Sequence, residues 1–96
     1  MSEIPELTKA ALKSALSSSQ RRRFIDGKFE SGRDVAALRR FVGLSQVRFA
    51  EALGISVHTL RNWEQDGRYP EGPALALLRI AAQHPRIIRG NLRKAA

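Results

Sequence analysis

The sequence predicts an all-α protein: a five-helix bundle preceded by an N-terminal arm. Three observations predict it. From Ser31 onward, apolar residues recur at helical spacing. Serine, proline and glycine fall where such helices would start and stop. No alternating strand pattern occurs after residue 31. The 96 residues suit one small domain. A hydrophobic content of 43% is that of a folded chain rather than a disordered basic one.

The chain divides near residue 31. Residues 1–32 carry six basic and four acidic groups, and residues 33–96 carry eleven and five. The first part reads as an arm, either loosely held or ordered by a protein partner. Pro5 suits a first helical position. Ile4, Leu7, Ala11, Leu12 and Leu16 can line one side of a short helix ending at Ser17-Ser18-Ser19. Asp26-Gly27, between Phe24-Ile25 and Phe29, is a hairpin signal, but its flanks are too short for an isolated hairpin.

The helical domain spans 33–96. Val35, Leu38 and Val42 mark its first helix, which Gly43 ends. Ser45 caps a second helix carrying Phe49, Ala50 and Leu53, stopped by Gly54. Ser56 caps a third with Leu60 and Trp63 facing inward. Residues 66–72, DGRYPEG, form a loop by composition. Pro73 opens a fourth helix with Ala74, Leu77, Leu78 and Ala81 on one face. Pro85 starts a fifth bearing Ile87, Ile88 and Leu92.

Charge and composition limit the function. Lys and Arg number 17 against 9 acids, a formal +8, which favours a polyanionic partner. Without cysteine there is no disulfide scaffold, thiolate zinc site, iron–sulfur cluster or thiol catalysis. The two histidines, His58 and His84, lie in no metal-ligand motif, and the acids do not cluster as two-metal nucleases require. Neither catalysis nor a cofactor is expected. No apolar run approaches the roughly 20 residues of a membrane span. The N-terminus also lacks the order of a signal peptide, so a cytoplasmic protein with no membrane partner is expected.

Residues 46–65 read as two helices joined by a tight turn. Helices that cross closely need a small residue at the crossing, and Ala50 supplies it. The turn needs a residue tolerant of positive φ, and Gly54 supplies it. The stretch LSQVRFAEALGISVHTLRNWEQ resembles the Xre-type, or lambda-repressor-like, helix-turn-helix family. The resemblance covers about residues 33–84. One departure stands out: Asp66 occupies a position where many members have glycine.

The resemblance implies that the second helix of the pair lies in the major groove. It places Val57, His58, Arg61 and Asn62 toward the bases, and Thr59 toward a phosphate. Arg pairs bidentately with guanine and Asn with adenine, and valine suits a thymine methyl. It further implies that Gln46 meets a phosphate and braces the recognition helix, with Arg48 and Arg68 near the backbone. Arg39 and Arg40 read either as solvated charges or as phosphate contacts.

The segment VHTLRNWEQDGRYPEGPALALLRIAAQHP is similar to HigA-like antitoxins of bacterial toxin–antitoxin operons. That similarity implies a DNA-binding antitoxin that neutralises a RelE/HigB-like mRNA-cleaving toxin and represses its own operon. The candidate toxin-binding residues are Phe24, Ile25, Lys28 and Phe29. A homodimer on a palindromic duplex is expected, with Ile80, Ile87, Ile88 and Leu92 as the candidate interface. The alternative is a stand-alone phage-type repressor without a toxin.

Overall fold

The computed structural model describes residues 15–92, which form six helices and, among the described residues, no strand. The short helix expected near the N-terminus lies outside these residues, apart from Ala15 and Leu16, which are not helical. The helices are α1 (Ser18–Ile25), α2 (Gly32–Val42), α3 (Gln46–Leu53), α4 (Val57–Glu64), α5 (Pro73–Gln83) and α6 (Pro85–Gly90). α2 touches α4, α5 and α6, while α1 lies along α5.

Local chemistry sets most helix ends. Ser31, Ser45 and Ser56 each cap a helix, their hydroxyls accepting from the backbone N–H of Arg33, Arg48 and Thr59. Gly43 and Gly54 end α2 and α3 with φ of 89° and 74°, the left-handed region that glycine enters without steric cost. Pro73 and Pro85 stand at the first positions of α5 and α6. Most of the expected inward residues are buried, while Ala74 and Leu77 are only partly so. Val35, Leu38, Val42, Phe49, Leu60, Trp63, Leu78, Ala81 and Ile88 all belong to one core.

Residues 18–30 depart from the expectation of a separate arm. Ser17 and Gln20 form a capping box that starts α1, each side chain bonding the other's backbone N–H at 3.1 Å. Phe24 is fully buried, and its ring stacks on Phe29 with centroids 4.7 Å apart. The Asp26-Gly27 signal is the turn after α1, with Gly27 at φ 81°, rather than a hairpin. Phe24 and Phe29 therefore join the common core of this chain. Ile25 is half-buried, and only Lys28 of the four candidate toxin contacts is exposed.

Arginines fasten α1 at both ends. Arg21 donates from Nε and Nη2 to the carbonyls of Ala82 and Gln83, satisfying the C-terminal end of α5. Arg79 on α5 returns the favour, donating to the Ile25 carbonyl at 2.9 Å. Arg23 pairs with Asp34 at 3.0 Å, and Asp34 also accepts from the Glu30 N–H. Burial pushes the Asp34 carboxyl up, but the hydrogen bonds from Arg23 and Glu30 and the Arg23 charge outweigh it and hold it below its ordinary range.

If α1 belongs to the core, emptying the Phe24 site must weaken the whole fold. Phe24→Ala should cost about 3–5 kcal/mol, read from urea unfolding followed by far-ultraviolet circular dichroism. A loss below about 1 kcal/mol would mean that α1 is a dispensable appendage.

Candidate nucleic-acid interface

The outer face of the molecule that matters most is built on α3 and α4. The three residues Gly54, Ile55 and Ser56 join them, and the Ile55 N–H donates back to the Ala50 carbonyl at 3.0 Å. Leu60 and Trp63 anchor α4 inward. The helical period then turns His58 and Arg61 outward, and both are exposed. Val57, Thr59 and Asn62 flank them, half-buried. Arg48 and Arg68 are exposed as well. Arg48 stands 3.7 Å from Glu51 one turn along α3.

A chain of polar groups holds this face in place. Arg39 of α2 donates from Nε and Nη2 to Glu64 at the end of α4, at 2.8 and 3.3 Å. Its Nη1 donates to the Leu44 carbonyl in the α2–α3 connection. Glu64 Oε1 also accepts from Gln46 Nε2 at 3.0 Å, and Gln46 Oε1 accepts from Arg61 Nε at 3.2 Å. The Glu64 side chain is only 7% exposed, and the Arg39 guanidinium supplies the opposite charge beside it. Arg39 is thus an internal tie rather than a solvated charge or a phosphate contact, while its neighbour Arg40 is exposed.

A second tie fixes the far end of α4. Asp66 adopts φ 62° and is the only non-glycine residue with positive φ among the described residues. It keeps the left-handed turn that glycine makes easily, which aspartate tolerates better than most residues. Its Oδ1 accepts from the Gly32 N–H at the start of α2. Gly32 has no room for a side chain: a Cβ there would lie 2.3 Å from the Glu64 carbonyl oxygen. The loop then closes on α4 through the Gly67 N–H, which donates to the Asn62 carbonyl at 2.8 Å.

The candidate dimer residues separate into two groups. Ile80 and Ile87 are exposed, Ile87 at 62%, whereas Ile88 is a core residue and Leu92 packs partly against the core. Leu53, Leu77, Ile80, Ile87 and Ile88 line a shallow apolar groove bordered by Gly54 and Asn91. Asn91 is held in place by donating to the Ala52 carbonyl at 2.7 Å. No group of three or more metal-ligating side chains occurs among the described residues, and no helix there is long and apolar enough to cross a membrane.

Comparison with known proteins gives one informative likeness. The chain is 36% identical over 52 residues to antitoxin HigA-2 of Vibrio cholerae serotype O1. Those residues are 54% of this chain, and the chain spans about half the length of that relative. No family model matches the chain, and no solved structure does so significantly. The resemblance to HigA-like antitoxins read from the sequence is thus supported by a curated relative of that kind.

Glu64 is the centre of the network, so its removal should be costly. Glu64→Ala leaves the Arg39 guanidinium without its counter-charge and should lose about 3–5 kcal/mol of stability. Thermal and urea unfolding would measure it. A variant as stable as the parent would show that the pair contributes nothing to holding α4.

Proposed function

We propose that this chain, similar over half its length to an antitoxin, is a DNA-binding antitoxin of lambda-repressor-like fold. It reads operator DNA with α4, represses its own operon and neutralises a RelE/HigB-like mRNA-cleaving toxin in the cytoplasm. The toxin half of this reading rests on the similarity to antitoxin HigA-2. The DNA half rests on one observation: α3 and α4 form a tightly joined, separately capped pair whose outer face carries Arg61 and His58.

The chemistry follows from that pair. With α4 in the major groove, its N-terminal half meets base edges and the start of α3 lies by the phosphates. Arg61 and Asn62 are the base readers, Val57 meets a thymine methyl, and His58 donates to a base or phosphate. The Thr59 hydroxyl accepts from Ser56 at 2.9 Å, which leaves its own hydrogen for a phosphate. Gln46 spends one amide hydrogen on Glu64 and keeps the other for the same purpose. Arg48 and Arg68 add unsequenced charge contacts to the backbone. One such helix reads few base pairs, so two copies act together, joined through the groove at Ile80 and Ile87. Two-fold symmetry then demands a palindromic site with half-sites about one helical turn apart.

Binding to the duplex upstream of the gene should fall steeply with salt. Each neutralised phosphate contributes a slope of roughly −0.9 in log K against log salt. Fluorescence anisotropy across a salt series measures it. Binding that ignores salt, or that does not distinguish this duplex from a random one, removes the operator reading.

The toxin contact is proposed to lie in the N-terminal arm. Phe24 and Phe29 are occupied in the core, so the informative deletion stops before them. Removing residues 1–14 from a chain that also carries Lys28→Glu, at the exposed candidate, should abolish neutralisation of the neighbouring gene's toxin in a growth-rescue assay while operator binding persists. Full neutralisation by the truncated chain would move the toxin contact elsewhere. DNA binding with no neutralisation even by the intact chain would identify a stand-alone repressor.

A further inference from the structure

We infer that α6 belongs to the nucleic-acid interface, and that its Arg89 holds the phosphate backbone just outside each half-site. The inference rests on the reading of this chain as a DNA-binding dimer. It adds a contact from a helix outside the α3–α4 pair and says where on the palindrome that contact falls.

The charge of the C-terminal part is one-sided. From Pro73 to Ala96 the chain has no acidic residue and five basic ones, Arg79, Arg86, Arg89, Arg93 and Lys94. Arg79 is spent on the Ile25 carbonyl. Arg93 and Lys94 lie outside the described residues. Arg86 and Arg89 are exposed on α6, and among the described residues no carboxylate pairs with either. Surface charge of one sign, without counter-charges of its own, suits a polyanion.

Of these two, Arg89 is the one beside the candidate interface. Its Nη1 lies 3.7 Å from where a Cβ on Gly43 would stand. Gly43 ends α2, and Ser45 caps α3 two residues on, about 7 Å of chain at most. The guanidinium therefore sits by the connection that leads into α3, whose start the proposed docking sets by the phosphates. Gly43 carries no side chain to screen it. Arg40, one turn back along α2, is exposed as well. Arg86, by contrast, lies with Arg21, His84 and Pro85 at the junction of α5 and α6.

The backbone is held on both sides of Arg89. Ile88 is buried in the core, and Asn91 donates to the Ala52 carbonyl in the last turn of α3. Only the arginine side chain is left to order on binding, which keeps that cost small.

Helical geometry decides which phosphates are met. Successive residues of a helix are turned by about 100°. Ile87 and Arg89, two positions apart, thus project from nearly opposite sides of α6. With Ile87 facing the second copy across the two-fold axis, Arg89 faces away from the centre of the palindrome. The phosphates it meets flank the half-site on its outer side and do not lie between the half-sites.

Duplex length tests this. Two duplexes are cut around the palindrome in the DNA upstream of the gene. One ends at the outer base pair of each half-site, and the other runs about half a helical turn further on each side. Fluorescence anisotropy across a salt series follows both, with the intact chain, Arg89→Gln, Arg89→Lys and Arg33→Gln. The intact chain should bind the longer duplex more tightly, with a log–log slope steeper by roughly 0.9 for each flanking phosphate gained. Arg89→Gln should lose that gain and bind the shorter duplex as the intact chain does. Arg89→Lys keeps a point charge that suits phosphate and should keep most of the gain. Arg33 is exposed at the other end of α2, about 15 Å of helix from Gly43. Arg33→Gln is the charge control and should match the intact chain on both duplexes. A cation serving only the negative pole of α2, or one needed for the fold, affects both duplexes alike. Equal loss by Arg89→Gln on the two therefore overturns the inference, as does equal loss of the flanking gain by Arg33→Gln. An intact chain that gains nothing from the flanks overturns it too, while binding to the palindrome keeps the DNA-reading function standing. Should the intact chain prefer neither duplex to random DNA, the function falls and the inference with it.

Discussion

The ion pair between Arg39 and Glu64 is the interaction on which the candidate interface depends. A carboxylate this shielded is unfavourable unless its lone pairs are filled and its charge is met. Here both conditions hold, because Arg39 supplies two donors and Gln46 a third. The third arm of Arg39 reaches the Leu44 carbonyl, so one guanidinium joins the end of α2, the connection to α3 and the end of α4. The placement of α4 against its neighbours follows from this pair together with the close backbone approach at Gly32. The outer side chains inherit their positions from it.

The positive charge of the chain has two uses. Read as a total, +8 looks like a footprint for a polyanion. In the folded molecule Arg21 and Arg79 satisfy helix-end carbonyls, and Arg23 and Arg39 answer buried or shielded carboxylates. These cations act chiefly on the protein. Arg48, Arg61 and Arg68 are the exposed arginines of the candidate face, the first of them beside Glu51. Net charge therefore overstates what is available to DNA, and position on the helix decides which arginines count.

The helices from Ser31 onward were legible in the sequence because their signals are local. A serine two or three residues before the N–H it caps, or a glycine after the last apolar residue, needs no knowledge of the rest of the fold. α1 was harder. It carries three consecutive arginines, and its contribution to the core comes from Phe24, whose burial is decided by α5 and by Phe29. The Ser17-to-Gln20 capping box was the local clue, but a run of serines reads as readily as a helix end. The outward residues of α4 followed from period and motif. The Arg39–Glu64 pair did not, because 25 positions separate its members. Side by side in sequence, Arg39 and Arg40 look the same, and only the packing distinguishes them.

The turn at Asp66 has a chemical consequence. Among aspartyl bonds, the one followed by glycine is the most prone to ageing, because the unhindered glycine nitrogen can close a five-membered ring onto the aspartyl carboxyl. In the folded chain both reacting groups are engaged elsewhere. The Asp66 carboxyl accepts from Gly32, and the Gly67 N–H is bonded to the Asn62 carbonyl. The contacts that fix the end of α4 thus also slow isoaspartate formation at the one bond in this loop most exposed to it.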